Sequence, residues 1–166
     1  RSGNAALLDR CERIRAHAAV LMGLAASAED ATRNRPATPK LAFVASPLAY
    51  RASNGRAIDA SQMDVAARIL SMGQLHHALS GTGAIALAVA AALPGTLVHE
   101  IVARVALQSA ESSVRLGHPS GVLVAGAEAY ERDGHWEIAK VVVSRSARRL
   151  MSGVVFVPDS EDVLTA

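Results

Sequence analysis

The chain contains the stretch Ser80-Gly81-Thr82-Gly83-Ala84, followed by an unbroken apolar run from 85 to 93 and then by Pro94-Gly95. A helix with no polar face has to be buried among other elements. The first N–H groups of a helix have no partner within it and lie at the positive end of its dipole, where an anion is favoured. The stretch therefore predicts a central buried helix over about 81–93, with an anion site at its N-terminus.

The residues after this helix alternate between apolar and polar with period two, which is typical of strands. Asp133-Gly134 is a strong hairpin turn between two of the alternating segments. A sheet rolled around one helix is the natural packing for this pattern, so we expect an α+β fold with an antiparallel or mixed sheet. The predicted strands cover residues 98–110, 112–116, 121–130, 135–144 and 152–157.

The residues before the helix divide into three parts. Residues 1–27 are predicted to form an N-terminal amphipathic helix, capped by Ser2 or Asn4, and residues 28–39 a mobile polar connection. Residues 40–158 are assigned to the main domain. It opens with a strand over 40–46, a turn at Asn54-Gly55, a helix from 61 to 71, and a loop or short extended piece over 72–80. Residues 159–166 form an acidic tail that is expected to fray.

The amino-acid composition argues against a nucleic-acid-binding protein and against a membrane-spanning one. The chain has 166 residues, which suits one domain, and its 17 basic and 15 acidic residues give a net charge of only +2. Few aromatic residues and one short arginine cluster argue against nucleic-acid binding. The longest apolar run is about half of the roughly 18 residues of a membrane span, and no signal peptide is visible. A single cysteine, Cys11, is interpreted as a core thiol, and we predict a cytoplasmic protein.

The first residue, Arg1, is not a methionine and falls within a helical pattern. We therefore expect the sequence to be part of a longer polypeptide, although a processed or trimmed chain would look the same.

The candidate anion site combines backbone and hydroxyl donors. The N–H groups of residues 81–84 are suited to a carboxylate or phosphate, and Ser80 or Thr82 can add a hydroxyl. The alternative is that Thr82 simply caps the helix. The sequence lacks the GxxxxGK[ST] pattern of a phosphate loop and the GxGxxG pattern of a dinucleotide site.

A second candidate is Gly117-His118-Pro119-Ser120-Gly121, which lies between two predicted strands. It is either a turn made rigid by Pro119 or a pair of donors, His118 and Ser120, facing a substrate anion at a strand end. The glycines do not flank the serine as a nucleophile elbow requires, so serine-hydrolase chemistry is disfavoured.

Histidines and arginines supply further candidates. His76 and His77 are adjacent, so their rings are expected to diverge by about 100° on a helix or 180° on a strand, which argues against a shared metal. A zinc site that also uses His99 and His118 has no diagnostic spacing. One imidazole is expected to line the anion site.

Within residues 144–149, either Arg145 or Arg148 can form a bidentate pair with a substrate carboxylate, or the segment is a solvated corner.

Taken together, several segments resemble the PrpF family of isomerases and tautomerases, and the resemblance runs from about residue 7 to 158. They are Ser71-Met72-Gly73-Gln74-Leu75-His76-His77-Ala78, Gly81-Thr82-Gly83-Ala84, Pro94-Gly95-Thr96-Leu97-Val98, Gly117-His118-Pro119-Ser120-Gly121 and Ser144-Arg145-Ser146-Ala147-Arg148. The resemblance is to the C-terminal half of the family. It implies a diaminopimelate-epimerase-like fold, in which two similar domains each roll a sheet around a central helix.

The resemblance also implies a reaction. The family shifts a double bond in a small unsaturated di- or tricarboxylate, such as an aconitate-like acid, by allylic proton transfer without a cofactor. The acid and base of the family lie in its N-terminal half, so no catalytic residue and no metal ligand is assigned here, and the chain alone should be inactive. In the epimerases a catalytic cysteine precedes the Gly-Thr-Gly, where this chain has Ser80. The substrate-binding residues assigned here are Ser80, Gly81, Thr82, Gly83, His118, Ser120, Met72, His76 and Arg148.

The expected partners are a small carboxylate and the N-terminal domain of the same polypeptide, with neither nucleic acid nor membrane. One alternative is a non-catalytic carboxylate-binding or scaffold domain, which forms a homodimer in place of the missing half. A metal-dependent hydrolase that uses the histidines is the remaining alternative.

Overall fold

A computed structural model describes residues 4–105, 113–145 and 147–156. The N-terminal helix α1 spans Ala5–Leu21, and the Asn4 side chain caps it by accepting from the Leu7 N–H at 3.2 Å. Ser2 lies outside the described residues. The predicted connection 28–39 is not simply a polar linker, because it contains a second helix, α2 (Ala28–Asn34). Ser27 caps α2 by accepting from the Asp30 N–H at 3.1 Å.

The contact between α1 and α2 explains why the linker is helical. Small alanines from both helices form a buried cluster. Arg15, only 4% exposed, pairs with Glu12 and donates to the carbonyl oxygens of Arg35 and Thr38 at 3.1 and 3.0 Å. A buried charge is tolerated when it is paired and hydrogen-bonded, so this arginine ties the segment after α2 to α1.

One mixed sheet forms the main body of the chain. Its strands follow the spatial order β1-β4-β6-β7-β8, with β5 paired to β4. The β4–β6 pair is parallel and the other pairs are antiparallel, while β2 and β3 form a separate hairpin. The bounds are β1 Leu41–Ala45, β2 Tyr50–Arg51, β3 Ala57–Ile58, β4 Val65–Ser71, β5 Gln74–Leu75, β6 Ser113–His118, β7 Gly121–Arg132 and β8 His135–Val143.

The predicted helix over 61–71 is wrong. Asp59 caps only one 3₁₀ turn, Ala60–Gln62, and the chain then enters β4. This strand lies inside the sheet and is buried on both faces, with Val65 toward the main core and Ala66 toward the β2–β3 hairpin. Such strands read as continuous apolar runs, which periodicity does not separate from a short helix.

The predicted strand over 98–110 is also wrong where the structure describes it, because Leu97–Val105 forms helix α4. Thr96 caps α4 by accepting from the His99 N–H at 3.1 Å, and its hydroxyl donates to the carbonyl oxygen of Ala90. Val98, Ile101 and Val102 pack on the main core at helical spacing. Residues 106–110 lie outside the described residues.

The central helix is confirmed as α3, Gly81–Ala92. It packs against β6, β7, β8 and α4, and it buries Ala84, Leu87 and Ala88. Ala86 is exposed, so α3 is not enclosed on every side as its apolar sequence predicts. Among the described residues no single helix has the length and apolarity to cross a membrane; the bent pair formed by α3 and Leu97–Arg104 passes that test only when counted together.

The end of the described chain differs from the prediction as well. Residues 152–156 form no strand and are exposed, while residue 157 and the tail 159–166 lie outside the described residues. The Asp133-Gly134 turn is confirmed between β7 and β8, with φ values of 51° and 77° that fit the type I′ geometry of short hairpins.

Candidate functional site

The N-terminus of α3 is capped by Ser80. Its backbone is extended, its Oγ accepts from the Gly83 N–H at 3.2 Å, and its carbonyl oxygen accepts from the Ala84 N–H at 2.9 Å. Two of the four N–H groups in the sequence-based site therefore have partners. Within the described part of the chain, the N–H groups of Gly81 and Thr82 have none, so they remain as donors for an anion.

Both glycines of this turn are closely approached. A Cβ on Gly81 would lie 2.9 Å from Nη2 of Arg145, which places that guanidinium against Gly81, the first residue of α3. A Cβ on Gly83 would collide with Cδ1 of Ile69 and would lie 2.9 Å from the Ser80 Oγ. A glycine is thus needed at position 83 because a larger residue would not fit against Ile69. Gly81 instead lies against the flexible, positively charged end of the Arg145 side chain.

The turn 117–121 meets the segment that leads into α3. His118 and Gly121 close the β6–β7 hairpin, and the Ser120 Oγ donates to the carbonyl oxygen of His77 at 2.5 Å. The Ser120 N–H donates to Nδ1 of His118 at 3.2 Å. The structure therefore links two candidate segments that are separated by about forty residues. The Ser120 hydroxyl, a candidate donor to a substrate anion on sequence grounds, donates its proton within the protein instead.

His118 is partly buried in this turn. Burial lowers the pKa of its imidazole below the ordinary value, and the positive charge of Arg68 lowers it further. The neutral ring leaves Nδ1 free to accept from Ser120. An anionic ligand would meet a hydrogen-bonded neutral imidazole here rather than a fixed imidazolium.

The expected divergence of the His76 and His77 rings is wrong. The rings stack with centroids 5.3 Å apart and an angle of 13°, because this segment is neither helix nor strand. Nδ1 of His76 bonds to the carbonyl oxygen of Ala78 at 2.7 Å, so this imidazole stabilises the approach to α3. Within the described residues no group of three histidine, cysteine or carboxylate side chains has the arrangement of a metal site.

Two other candidates are not placed at α3 by any contact in the structure. Met72 lies at the β4–β5 turn with φ of 51° and borders a recess shared with Cys11 and Leu41, on the side of α1. Cys11 is buried, as expected of a core thiol. Arg148 lies in the exposed segment 147–156 and makes no hydrogen bond or ion pair to the described part of the chain. Of the two arginines that the sequence left open, the structure brings Arg145 to α3.

Tyr50 and Arg68 are residues that the sequence did not single out. The Tyr50 hydroxyl lies against the carbonyl oxygens of His118 and Gly121, and Arg68 donates to the carbonyl oxygen of Gly117. No sequence signal identifies them, since each contact joins positions at least 49 residues apart.

The central helix α3 packed in a curled mixed sheet, with donors at its N-terminus, defines a diaminopimelate-epimerase-like domain. This α+β class is the one expected, and the solved structure of methylitaconate-delta-isomerase shares it with a TM-score of 0.77 and 36% sequence identity, over 92% of this chain and 38% of that one. The family described as PrpF protein matches residues 2–158. The chain belongs to the PrpF family.

Curated relatives agree with this assignment. The chain is 48% identical over 157 residues to the 2-methyl-aconitate isomerase of Shewanella oneidensis, which covers 95% of this chain and 38% of that protein. It is 36% identical over 157 residues to the 3-methylitaconate isomerase of Eubacterium barkeri, covering 94% of this chain and 40% of the relative. The chain therefore spans about two-fifths of the length of these relatives.

Proposed function

We propose that this chain is the carboxylate-binding domain of an isomerase acting on small unsaturated di- or tricarboxylates, of the aconitate type. The observation that carries the proposal is the start of α3, where the Gly81 and Thr82 N–H groups have no partner among the described residues and the Arg145 guanidinium lies against Gly81. The relatives whose names give substrates are isomerases of methylaconitate and methylitaconate, which are acids of this class.

The proposed reaction moves a double bond by proton transfer between two allylic carbons. Removal of the proton leaves a carbanion that the substrate carboxylates delocalise, and fixed donors stabilise the resulting negative charge. The Gly81 and Thr82 N–H groups and Arg145 would hold one carboxylate. His118 would lie in the turn that Ser120 bonds to the segment leading into α3. We assign no cofactor, and we place the acid and base in a partner domain that closes the cleft, so this chain alone binds without turnover.

The alternative proposal is a domain that binds carboxylates and associates with a second copy. It is favoured by the exposed apolar side chains of residues 150–156, among which Leu150 is 77% exposed and Phe156 is 99% exposed. Exposed apolar patches of this kind mark interaction surfaces. Sedimentation analysis decides between a monomer that awaits its partner domain and a stable homodimer. A cytoplasmic location remains a prediction.

The binding test uses trans-aconitate followed by NMR line broadening, in deuterated buffer. Gly81→Pro removes one N–H donor at the first helical position, where proline is well accepted, and Ser80 already has the extended backbone that precedes a proline. Gly81→Ala is the matched control, because it adds a Cβ beside Arg145 and keeps the N–H. We expect Gly81→Pro to bind at least about tenfold more weakly than Gly81→Ala, as for a lost bond to a charged group.

Two arginine variants test whether the positive charge of Arg145 contributes to carboxylate binding. We expect Arg145→Met to weaken trans-aconitate binding by several-fold and Arg148→Met to leave it unchanged, since Arg145 lies against Gly81 and no contact among the described residues places Arg148 at α3. Equal affinities in the proline and alanine variants, or no binding by the wild-type chain, would contradict the proposed site. Deuterium uptake into the ligand would show that the chain contains its own acid and base.

A further inference from the structure

Three backbone carbonyls of the turn 117–121 are held by side chains from distant segments. The Tyr50 hydroxyl lies 2.6 Å from the carbonyl oxygen of His118 and 2.7 Å from that of Gly121. Arg68 Nη1 donates to the carbonyl oxygen of Gly117 at 3.2 Å. The Arg68 guanidinium carbon also lies 4.8 Å from the centre of the Tyr50 ring. The two side chains therefore support each other and the turn together.

Arg68 is partly buried, and its partners differ from those of the buried Arg15 and the partly buried Arg115. Arg15 is paired with Glu12, and Arg115 with Asp64 at 2.6 Å. Within the described residues Arg68 has no carboxylate, and its contacts are the Tyr50 ring and the carbonyl oxygens of Ala67 and Gly117. Partial burial of an unpaired cation is costly. The contacts of Arg68 that offset this cost are with the Gly117 carbonyl and with Tyr50, which itself lies against the turn 117–121.

Burial and nearby charges keep Tyr50 and His118 in the protonation states that their hydrogen bonds in the turn 117–121 require. Burial raises the pKa of Tyr50, while Arg68, the His118 carbonyl and Arg56 act in the opposite direction. The phenol therefore keeps its proton at neutral pH and can donate it. Arg68 is the charged group that acts on His118 from the neighbouring strand, and with burial it keeps Nδ1 unprotonated to accept from the Ser120 N–H.

We propose that Tyr50 and Arg68 are positioning residues of the carboxylate site, because they fix the turn 117–121 so that Ser120 remains bonded to the segment leading into α3. This inference rests on the proposed function. Neither side chain contacts the ligand in this arrangement. They act through the Ser120 Oγ to His77 bond and through the orientation of His118.

The chain offers a matched control pair for the test. The guanidinium carbon of Arg132 lies 5.4 Å from the centre of the Tyr130 ring, and the Tyr130 hydroxyl donates to Glu137 at 2.6 Å, on the β7–β8 hairpin. Tyr50→Phe and Arg68→Met are therefore compared with Tyr130→Phe and Arg132→Met. The readouts are the imidazole pKa of His118 in the free chain, the amide shifts of residues 117, 118, 120 and 121, and the affinity for trans-aconitate. Arg68→Lys is the conservative variant.

We expect Arg68→Met to raise the pKa of His118 and Arg68→Lys to retain the lowered value, because the lysine keeps the charge. Tyr50→Phe should move the amide signals of residues 117, 118, 120 and 121 and weaken trans-aconitate binding about fivefold, as for one lost hydrogen bond. The control pair should change neither property. If Arg68→Met does not fold, Tyr50→Phe and Arg68→Lys still decide the matter.

The positioning proposal is overturned if Tyr50→Phe leaves the signals and the affinity as they are in Tyr130→Phe, or if Arg68→Met leaves the pKa of His118 unchanged. A wild-type chain that does not bind trans-aconitate overturns the proposed function instead. In that case the pKa of His118 and the amide signals, which need no ligand, still test whether Tyr50 and Arg68 fix the turn.

Discussion

Gly83→Ala should destabilise the domain, although alanine is the better helix former. The added Cβ meets Cδ1 of Ile69 on the buried strand β4, and it lies 2.9 Å from the Oγ of the capping Ser80. Ile69 is 3% exposed and packs in the main core with α3, so its side chain has little room to move.

Opposing terms set the size of the effect. Replacing glycine by alanine within a helix gains about 1 kcal/mol, but overpacking a well-filled core costs about 1–3 kcal/mol. Displacing the Ser80 hydroxyl from the Gly83 N–H costs about 1 kcal/mol more, as for a lost N-cap. We therefore expect a net loss of about 1–3 kcal/mol, which lowers the melting temperature by about 3–10 °C for a domain of this size.

Thermal and urea unfolding followed by circular dichroism measure this change. Gly81→Ala is the control, because its Cβ meets only the flexible end of Arg145, at 2.9 Å. We expect the control to match the wild type or to exceed it by up to about 1 kcal/mol. A Gly83→Ala protein as stable as Gly81→Ala would refute the close packing of α3 on β4.

Further variants test the cap, the buried charge and the titrating histidine. Ser80→Ala should lower the free energy of unfolding by about 1 kcal/mol, measured by urea unfolding. Arg15→Met should cost about 2–4 kcal/mol, because Glu12 keeps the Thr32 hydroxyl but loses its ion pair, and the carbonyls of Arg35 and Thr38 each lose a charged donor. The same change at the exposed Arg13, which is paired with Asp9 at 3.1 Å, should cost less than about 0.5 kcal/mol, and equal losses would contradict the burial of Arg15. Because the pKa of His118 is lowered in the folded chain, the unfolded chain takes up a proton at higher pH than the folded chain does. The stability that the neutral His118 contributes is therefore present above pH 6.5 and is lost as the pH falls through the lowered pKa. If His118→Gln leaves the pH dependence of the free energy of unfolding unaltered, this prediction is contradicted.

The elements that the sequence predicted correctly are those specified by one continuous segment. The apolar run of α3, the Asp133-Gly134 turn and the alternation of β7 and β8 depend on neighbouring residues alone. The errors have a common cause. For β4 and α4, short apolar segments fit both periods, and burial in the sheet or capping by Thr96 decided between them.

The same division applies to the site. The glycines and hydroxyls at the start of α3, and the turn with His118 and Ser120, could be recognised from local sequence because a helix start and a hairpin are short-range structures. The sequence could not show that Ser80 occupies the Gly83 N–H, since that depends on its rotamer.

The sequence by itself therefore determined a core helix with donors at its N-terminus, and it predicted an anion as the ligand. Only the tertiary structure decided that Arg145 rather than Arg148 lies against Gly81, and that Tyr50 and Arg68 hold the turn 117–121. The physical reason is that a helix start or a turn depends on adjacent residues. The position of Arg145, and the hydrogen bonds of Tyr50 and Arg68 to the carbonyls of the turn, instead depend on segments that meet only when the sheet packs on α3.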